Sequence, residues 1–382
     1  MSDRNRNGAI DALRGLVMVL MVLDHARDFF ADGFAHPATN LATTTPMLFF
    51  TRWITHFCAP VFVFLAGTAA RLYSDKRGAA ATVRFLLTRG LWMIMLELTL
   101  MRLGWTPDPL YRITMLQVIW AIGWAMIGLA VLLMPRVKWL PLAAGLLLTT
   151  AHNLLDPVRP EALGRASWLW KILHEGGLVE PFAGKRFYVA YPILPWIGVI
   201  ALGYCFGALM AEPKAVRARR MVQLGALITG LFVLVRALNF YGDPHPWSAQ
   251  LRGTFYTVLS FINCHKYPPS LLYLCMTLGP ALCVLGAFER IEKSKVLDQL
   301  AMVGSVPLFF YFVHIVLMRW TGLAISYARY GVHFLDPPPG HTGLGLWAAY
   351  AGWVLTLLVL YPLCRWFSGV KSRRRDWWMS YL

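Results

Sequence analysis

Charged side chains are scarce in this 382-residue chain, at 14% of the total, and acidic ones scarcer still, 19 Asp and Glu against 36 Lys and Arg. A soluble domain ordinarily carries about 25% charged residues. The shortage, with 58% hydrophobic residues and a mean hydropathy of +0.53, excludes a soluble globular chain and implies a multi-span membrane protein. Cysteine is also sparse. The six, Cys58, Cys205, Cys264, Cys275, Cys283 and Cys364, lie mostly inside apolar runs with no CxxC pair, so neither a disulfide framework nor a zinc site is expected. Internal repeats and low-complexity linkers are lacking, which implies a single transmembrane domain over residues 1–382. Arg4 and Arg6 form a basic leader, but no small-x-small cleavage signal follows the first apolar run, so that run reads as a retained helix. The net charge of +17 invites nucleic acid as a partner. The basic residues come in short clusters between apolar runs, however, and that is the pattern of membrane topology, so no nucleic acid partner is expected.

About ten helical spans can be drawn, giving an all-α polytopic helix bundle. They run near Ala9 to Phe30, Pro46 to Leu72, Val83 to Leu103, Ile113 to Met134, Trp139 to Leu155, Tyr191 to Met210, Met221 to Phe240, Ser270 to Phe288, Val303 to Ser326 and Leu344 to Phe367. The basic clusters at 71–84, 136–138, 214–220, 290–295 and 371–375 fall on alternate sides, the same side as Arg4 and Arg6. That side is the cytosol, with both termini in it, in a bacterial-type inner membrane. The opposite connections include two long ones, 156–189 and 241–269, rich in Pro, Gly and Trp. Stretches there such as SWLWKILHEGG suit short helices at the membrane surface, and these loops are where an external partner would be held.

What the apolar runs do contain is a small set of polar residues where lipid would reject them. The first span, AIDALRGLVMVLMVLDHARDFF, carries Asp11, Arg14, Asp24, His25 and Asp28. Arg14 and His25 are eleven positions apart, about three helical turns, so they share one stripe at about 16 Å separation. That stripe should turn into the protein or a wet cavity. In the second span Arg52 and His56 share a face near the outer end, Pro60 should kink the helix just beyond, and Arg71 closes the cytosolic end. The third span carries Arg89 and Glu97, and a mid-span Glu ordinarily takes an arginine from a neighbouring helix. His314 sits in VPLFFYFVHIVLMRW, either at the polar seam or simply packed between helices.

Arginines at the cytosolic mouth of a polar seam suit a phosphate-bearing ligand, and an imidazole deeper in it, with a carboxylate to fix its tautomer, suits a general base. Together they describe an enzyme that takes an activated group from the cytosol and passes it to an acceptor on the far side. A proton-coupled transporter or a flippase of a small or lipid-linked sugar would use similar residues, and a b-type haem protein would want histidines on facing helices. The absence of a visible inverted repeat counts against the transporter.

The run IDALRGLVMVLMVLDHARDFF resembles the opening of the transmembrane acyltransferases, in which an Arg or Lys is followed eleven positions later by His, here Arg14 and His25. ITHFCAPVFVFLAGTAARL, YPILPWIGVIALGY, KYPPSLLYLCMTLGPAL, VPLFFYFVHIVLM and the RRDWWMSYL end are similar to the bacterial branch that carries the heparan-alpha-glucosaminide N-acetyltransferase catalytic domain. The resemblance implies a polytopic enzyme that moves an acyl group, commonly acetyl from acetyl-CoA, to a sugar amine or hydroxyl across the membrane. It also implies two rival catalytic histidines. The broader group uses the helix histidine, which is His25, whereas the lysosomal relative uses a histidine of the first non-cytosolic loop, which falls on His36. We take His25 as the first candidate and His36 as the second, with Asp24 or Asp28 orienting the base. Arg14, Arg71 and Arg89 are assigned to the CoA phosphates, and Arg52, His56 and His314 to the acceptor side. No metal or haem is expected. The expected partners are membrane lipid and a glycan or sugar acceptor, with a second copy of the chain as a candidate.

Overall fold

The structure, a computed structural model, describes residues 8–31, 37–106, 110–182, 184–331, 344–374 and 376. The helices of the first half are α1 (Gly8–Phe30), α2 (Pro46–Trp53), α3 (Cys58–Arg77), α4 (Ala79–Leu96), α5 (Arg102–Trp105), α6 (Val118–Leu133), α7 (Leu140–Thr150) and α8 (Ser167–Trp170). Those of the second are α9 (Leu194–Phe206), α10 (Lys214–Leu238), α11 (Thr254–Ile262), α12 (Leu271–Arg290), α13 (Lys295–Gly304), α14 (Pro307–Tyr330) and α15 (Leu346–Arg373). Three short strands, β1 (Ile113–Leu116), β2 (Gly177–Phe182) and β3 (Lys185–Val189), complete the list.

Among the described residues, seven helical stretches are long and apolar enough to cross a bilayer: Pro46–Arg77, Ala79–Trp105, Leu194–Ala211, Lys214–Leu238, Leu271–Arg290, Pro307–Tyr330 and Leu346–Arg373. The chain is an integral membrane protein built as a helix bundle. The seven fall short of the ten expected because of three segments. α1 has the length, at 23 residues, but carries the charged set described above. α6 and α7, with 16 and 11 residues, extend only about 24 and 16 Å, less than the hydrocarbon core of about 30 Å.

The chain's contacts divide into two compact units, Met1–Cys58 with Ala249–Asn263 and Phe288–Leu382, and Ala59–Ser248 with Cys264–Ala287. The first is built around α1, which packs on α13, α14 and α15. Glycine makes the closest of these contacts possible. A methyl group at Gly15 would stand 1.9 Å from the Leu300 carbonyl oxygen, and one at Gly304 would stand 1.9 Å from that of Asp11, so α1 and α13 cross backbone to backbone. Trp353 on α15 donates its indole N–H to the Val19 carbonyl at 2.9 Å. α13 is a separate helix where one span from Val303 was expected. Ser294 caps its start through the Leu297 N–H, and Pro307 opens α14 three residues after α13 ends. Just ahead of Pro60 the α-helix gives way to a 3₁₀ turn, Ile54–Phe57, between α2 and α3.

In the second unit α4 packs on α6, and α6 and α7 pack on α9. Thr68 donates to the Gly203 carbonyl at 3.1 Å, where α3 meets α9. Glu97, buried at the end of α4, takes no arginine as its hydrogen-bond partner among the described residues: its carboxylate accepts from the Trp120 N–H at 3.0 Å and so caps the start of α6. A helix N-terminus satisfies an acid as well as a cation does. The protein is mostly helical, as expected, and the difference lies at the start of the fourth span. Ile113–Leu116, expected to begin the fourth span, is a strand, parallel to β3, and β2 lies antiparallel on β3's other side. The loop that holds β2 and β3 also contains the expected short helix, Ser167–Trp170, continued by a wider turn to Glu175.

Candidate active site

His25 stands near the C-terminal end of α1 and is 8% exposed. Its Nδ1 lies 2.7 Å from Nε2 of His314 on α14, and the two rings are nearly coplanar, 8° apart in plane. His314 is wholly buried, and its own Nδ1 is 2.8 Å from the Phe310 carbonyl oxygen one turn back. A carbonyl can only accept, so His314 Nδ1 carries a proton and donates it. In the neutral pair His314 Nε2 is therefore the acceptor, His25 Nδ1 is the donor, and the lone pair of His25 sits on Nε2. A backbone oxygen thus sets the tautomer of His25 through an intervening imidazole. The Tyr311 ring stands edge-on to both histidines.

Beside this pair lies a buried set of alternating charges. Arg52 Nη1 donates to both Asp24 oxygens, at 2.6 and 2.5 Å. Arg27 Nη2 lies 3.3 Å from Asp24 and 2.5 Å from Asp28. All four side chains are at most 16% exposed. Two cations and two anions balance, so the low-dielectric surroundings hold no net charge here. Asp24 and Asp28, assigned to orient the histidine, engage these arginines, and the group hydrogen-bonded to His25 Nδ1 is His314. Three turns earlier on α1, Arg14 Nη1 donates to Asp11 at 2.7 Å and to the Gly304 carbonyl at 3.2 Å.

The first unit therefore brings together His25, Asp24, Asp28, Arg52 and His314, with His56 buried in the 3₁₀ turn that follows α2. Arg14 is on the same helix, against the end of α13. His36 lies outside the described residues. Arg71 and Arg89 belong to the second unit. Arg71 is paired with Asp75 at 2.8 Å, one third exposed, and lies over the Tyr204 ring, while Arg89 lies over Phe85.

Two arginines of this neighbourhood escaped the reading of the sequence. Arg27 falls between Asp24 and Asp28, a spacing at which a helix brings opposite charges together. Arg319 is a lone cation inside the apolar run of α14, and that isolation was the available signal. The second unit also holds a polar cluster in its loops. His174 Nε2 donates to Asp156 at 3.0 Å and Asn153 donates to it at 2.9 Å. Burial raises the Asp156 carboxyl, but these hydrogen bonds outweigh it and hold the group below its usual range.

A family model described as heparan-alpha-glucosaminide N-acetyltransferase, catalytic, matches residues 6–242. No curated protein matches the chain. The matched stretch takes in every candidate site residue named from the sequence except His314, which lies beyond it.

Proposed function

The chain belongs to the heparan-alpha-glucosaminide N-acetyltransferase catalytic family, and from that premise we propose that it is a membrane-embedded acyltransferase moving an acetyl group from cytosolic acetyl-CoA to a sugar amine or hydroxyl on the extracytoplasmic side. The membrane is a bacterial inner membrane. α1, α6 and α7 lie within it as the seven more apolar spans do, and both termini are cytosolic, as the basic clusters of the connections favour.

The observation that carries the reading is the His25–His314–Phe310 chain of hydrogen bonds. It leaves a basic nitrogen, His25 Nε2, held in one orientation on the helix whose Arg14–His25 spacing matches the acyltransferases. In the reaction His25 Nε2 takes the proton of the acceptor amine or hydroxyl as that heteroatom bonds the acetyl carbon. The thioester C–S bond breaks, and the imidazolium returns the proton to the departing CoA sulfur. Such a positioned base contributes about 10²- to 10⁴-fold in rate. His314 shares the positive charge while His25 holds the proton.

Acetyl-CoA is a substrate, not a resident group, and its phosphates suit the arginines assigned to them. Guanidinium groups pair bidentately with phosphate, and Arg71, one third exposed and paired with an i,i+4 partner, can exchange Asp75 for it. Arg14 and Arg89 complete that set. Asp24, Asp28, Arg27 and Arg52 brace the C-terminal end of α1, and Arg52 and His56 line the acceptor side.

The test is an incubation of membranes holding the protein with labelled acetyl-CoA and a panel of glycans, followed by mass analysis of the products. Label on a sugar supports the assignment. Release of label as acetate alone, or none above membranes lacking the protein, refutes it.

A further inference from the structure

Two buried histidines of the second unit serve none of the roles above. His152, in the 3₁₀ turn after α7, is 3% exposed, and His174, in the turn that continues α8, is 2% exposed. Their ring centres are 6.0 Å apart with 70° between the planes, and the Trp170 ring stands 5.1 Å from His174. Asp156 accepts from His174 Nε2 at 3.0 Å and from the Asn153 amide at 2.9 Å. Asn153 is itself held, since its side-chain oxygen takes the Leu271 N–H at 3.0 Å.

Because His174 gives its proton to Asp156 through Nε2, its Nδ1 carries a lone pair. That nitrogen is buried with no hydrogen-bond partner among the described residues. Neither nitrogen of His152 has one either, although the carbonyls of Pro269 and Thr149 face its ring, and one of the two carries a lone pair in the neutral form. Buried polar atoms are ordinarily satisfied. Two adjacent imidazoles in this state call for something that takes an electron pair from each.

A carboxylate on the far nitrogen is how metal-ligating histidines are oriented and made more basic. A cation about 2 Å from one nitrogen of each ring sets the ring centres roughly 5 Å apart at the tetrahedral angle and roughly 6.5 Å apart in line. The observed 6.0 Å is nearer the linear arrangement. Among the described residues no group of three or more His, Cys, Asp or Glu suits a metal, so the protein offers two ligands and one balancing carboxylate. Zinc takes four ligands and brings two charges. Monovalent copper, which imidazole also suits, takes two ligands and brings one charge.

We propose that His152 and His174 bind a copper(I) ion between their unpartnered nitrogens, with Asp156 balancing its charge. The ion would tie the end of α7 to the 156–189 loop. The inference is independent of the acyltransferase reading, since it involves neither donor nor acceptor.

The probe is copper(I) itself, added without oxygen and with ascorbate to the purified protein in detergent, against a coloured copper(I) chelator. The wild type is expected to hold one equivalent that His152→Phe does not. Asp156→Asn should keep that equivalent about ten-fold or more weaker, as loss of an outer partner does. Cysteine and methionine sulfur also take copper(I), so X-ray absorption reads the ligands. Two imidazole nitrogens are expected for the His152-dependent equivalent, and a first shell of sulfur overturns the proposal. Copper(I) should also raise the Tm of the wild type and not of His152→Phe. The His152 ring makes no hydrogen bond, so its replacement should leave the protein folded, and His152→Leu repeats the test with a smaller side chain. Zinc should bind about ten-fold or more weakly than copper(I); equal or tighter zinc binding contradicts the two-ligand geometry. The competing occupant is a water that donates to both nitrogens. In that case no copper equivalent depends on His152, and the proposal falls.

Discussion

His25 and His314, 289 positions apart in the chain, are joined by a 2.7 Å hydrogen bond between ring nitrogens, and the second ring is anchored to a backbone carbonyl. Removing the anchor frees the tautomer of the first. His314→Leu should therefore lower transfer by about 10²-fold, with His314→Gln, which keeps a side-chain acceptor, falling less. Nitrogen-15 spectra of histidine-labelled protein should show His25 protonated at Nδ1 in the wild type and mixed in His314→Leu. A His25 protonated at Nε2 in the wild type would contradict the assigned roles.

Asp24 is buried, Arg52 is 13% exposed, and one nitrogen of Arg52 donates to both Asp24 oxygens. Removing one partner of a buried pair costs about 3–5 kcal/mol when the other charge is stranded, and less for Arg52, since Arg27 still stands 3.3 Å from Asp24. Asp24→Asn should lower the Tm strongly and Arg52→Met less, and the double variant should recover part of the loss because no single charge is stranded. Additive losses in a double-mutant cycle would show that the two side chains act independently.

The crossing of α1 and α13 leaves no room for a side chain at Gly15, where a Cβ would stand 1.9 Å from the Leu300 carbonyl. Gly15→Ala should destabilise by at least about 2 kcal/mol, measured by thermal unfolding in nanodiscs, while Gly8→Ala, where nothing lies within 4 Å, should change the Tm little. Similar Tm values for the two variants would mean that the helices do not meet there.

The long apolar helices were legible because a bilayer demands about 20 apolar residues and little else imitates that. The short pieces were not. Ile113–Leu116 is an apolar run of four, and periodicity at that length cannot tell a strand from the first turn of a helix. Glu97 was expected to meet an arginine and meets the backbone of α6, because peptide N–H groups leave no mark in a sequence. The candidate site was half visible. The cost of burying His25 and Arg14 pointed to α1, and the family motif pointed to the same pair. The identity of His25's partner depends on how α1 and α14 are placed side by side, which spacing along one helix does not contain. Asp24 was assigned to the histidine for the same reason, with Arg52 28 positions away unseen as its partner.

In the 241–269 loop of the second unit, burial pushes the His265 imidazole below its ordinary value of 6.5, with Asp243 opposing the effect and neighbouring His245 adding to it. The unfolded chain then binds a proton more readily than the folded one, so stability is full above about pH 6.5 and falls as the pH drops below it. The Tm should decline from about pH 7.5 to 5, and His265→Gln should flatten the decline. An equally steep decline in that variant would assign the acid sensitivity to other groups.

The most direct measurement is acetyl transfer from labelled acetyl-CoA by purified, folded His25→Ala protein beside wild type and His36→Ala. With His25 as the base, His25→Ala loses transfer by about 10²-fold or more in protein that remains folded, and His36→Ala keeps most of it. Near-normal transfer by His25→Ala would contradict the role of His25 outright, and loss in His36→Ala alone would move the base to the loop.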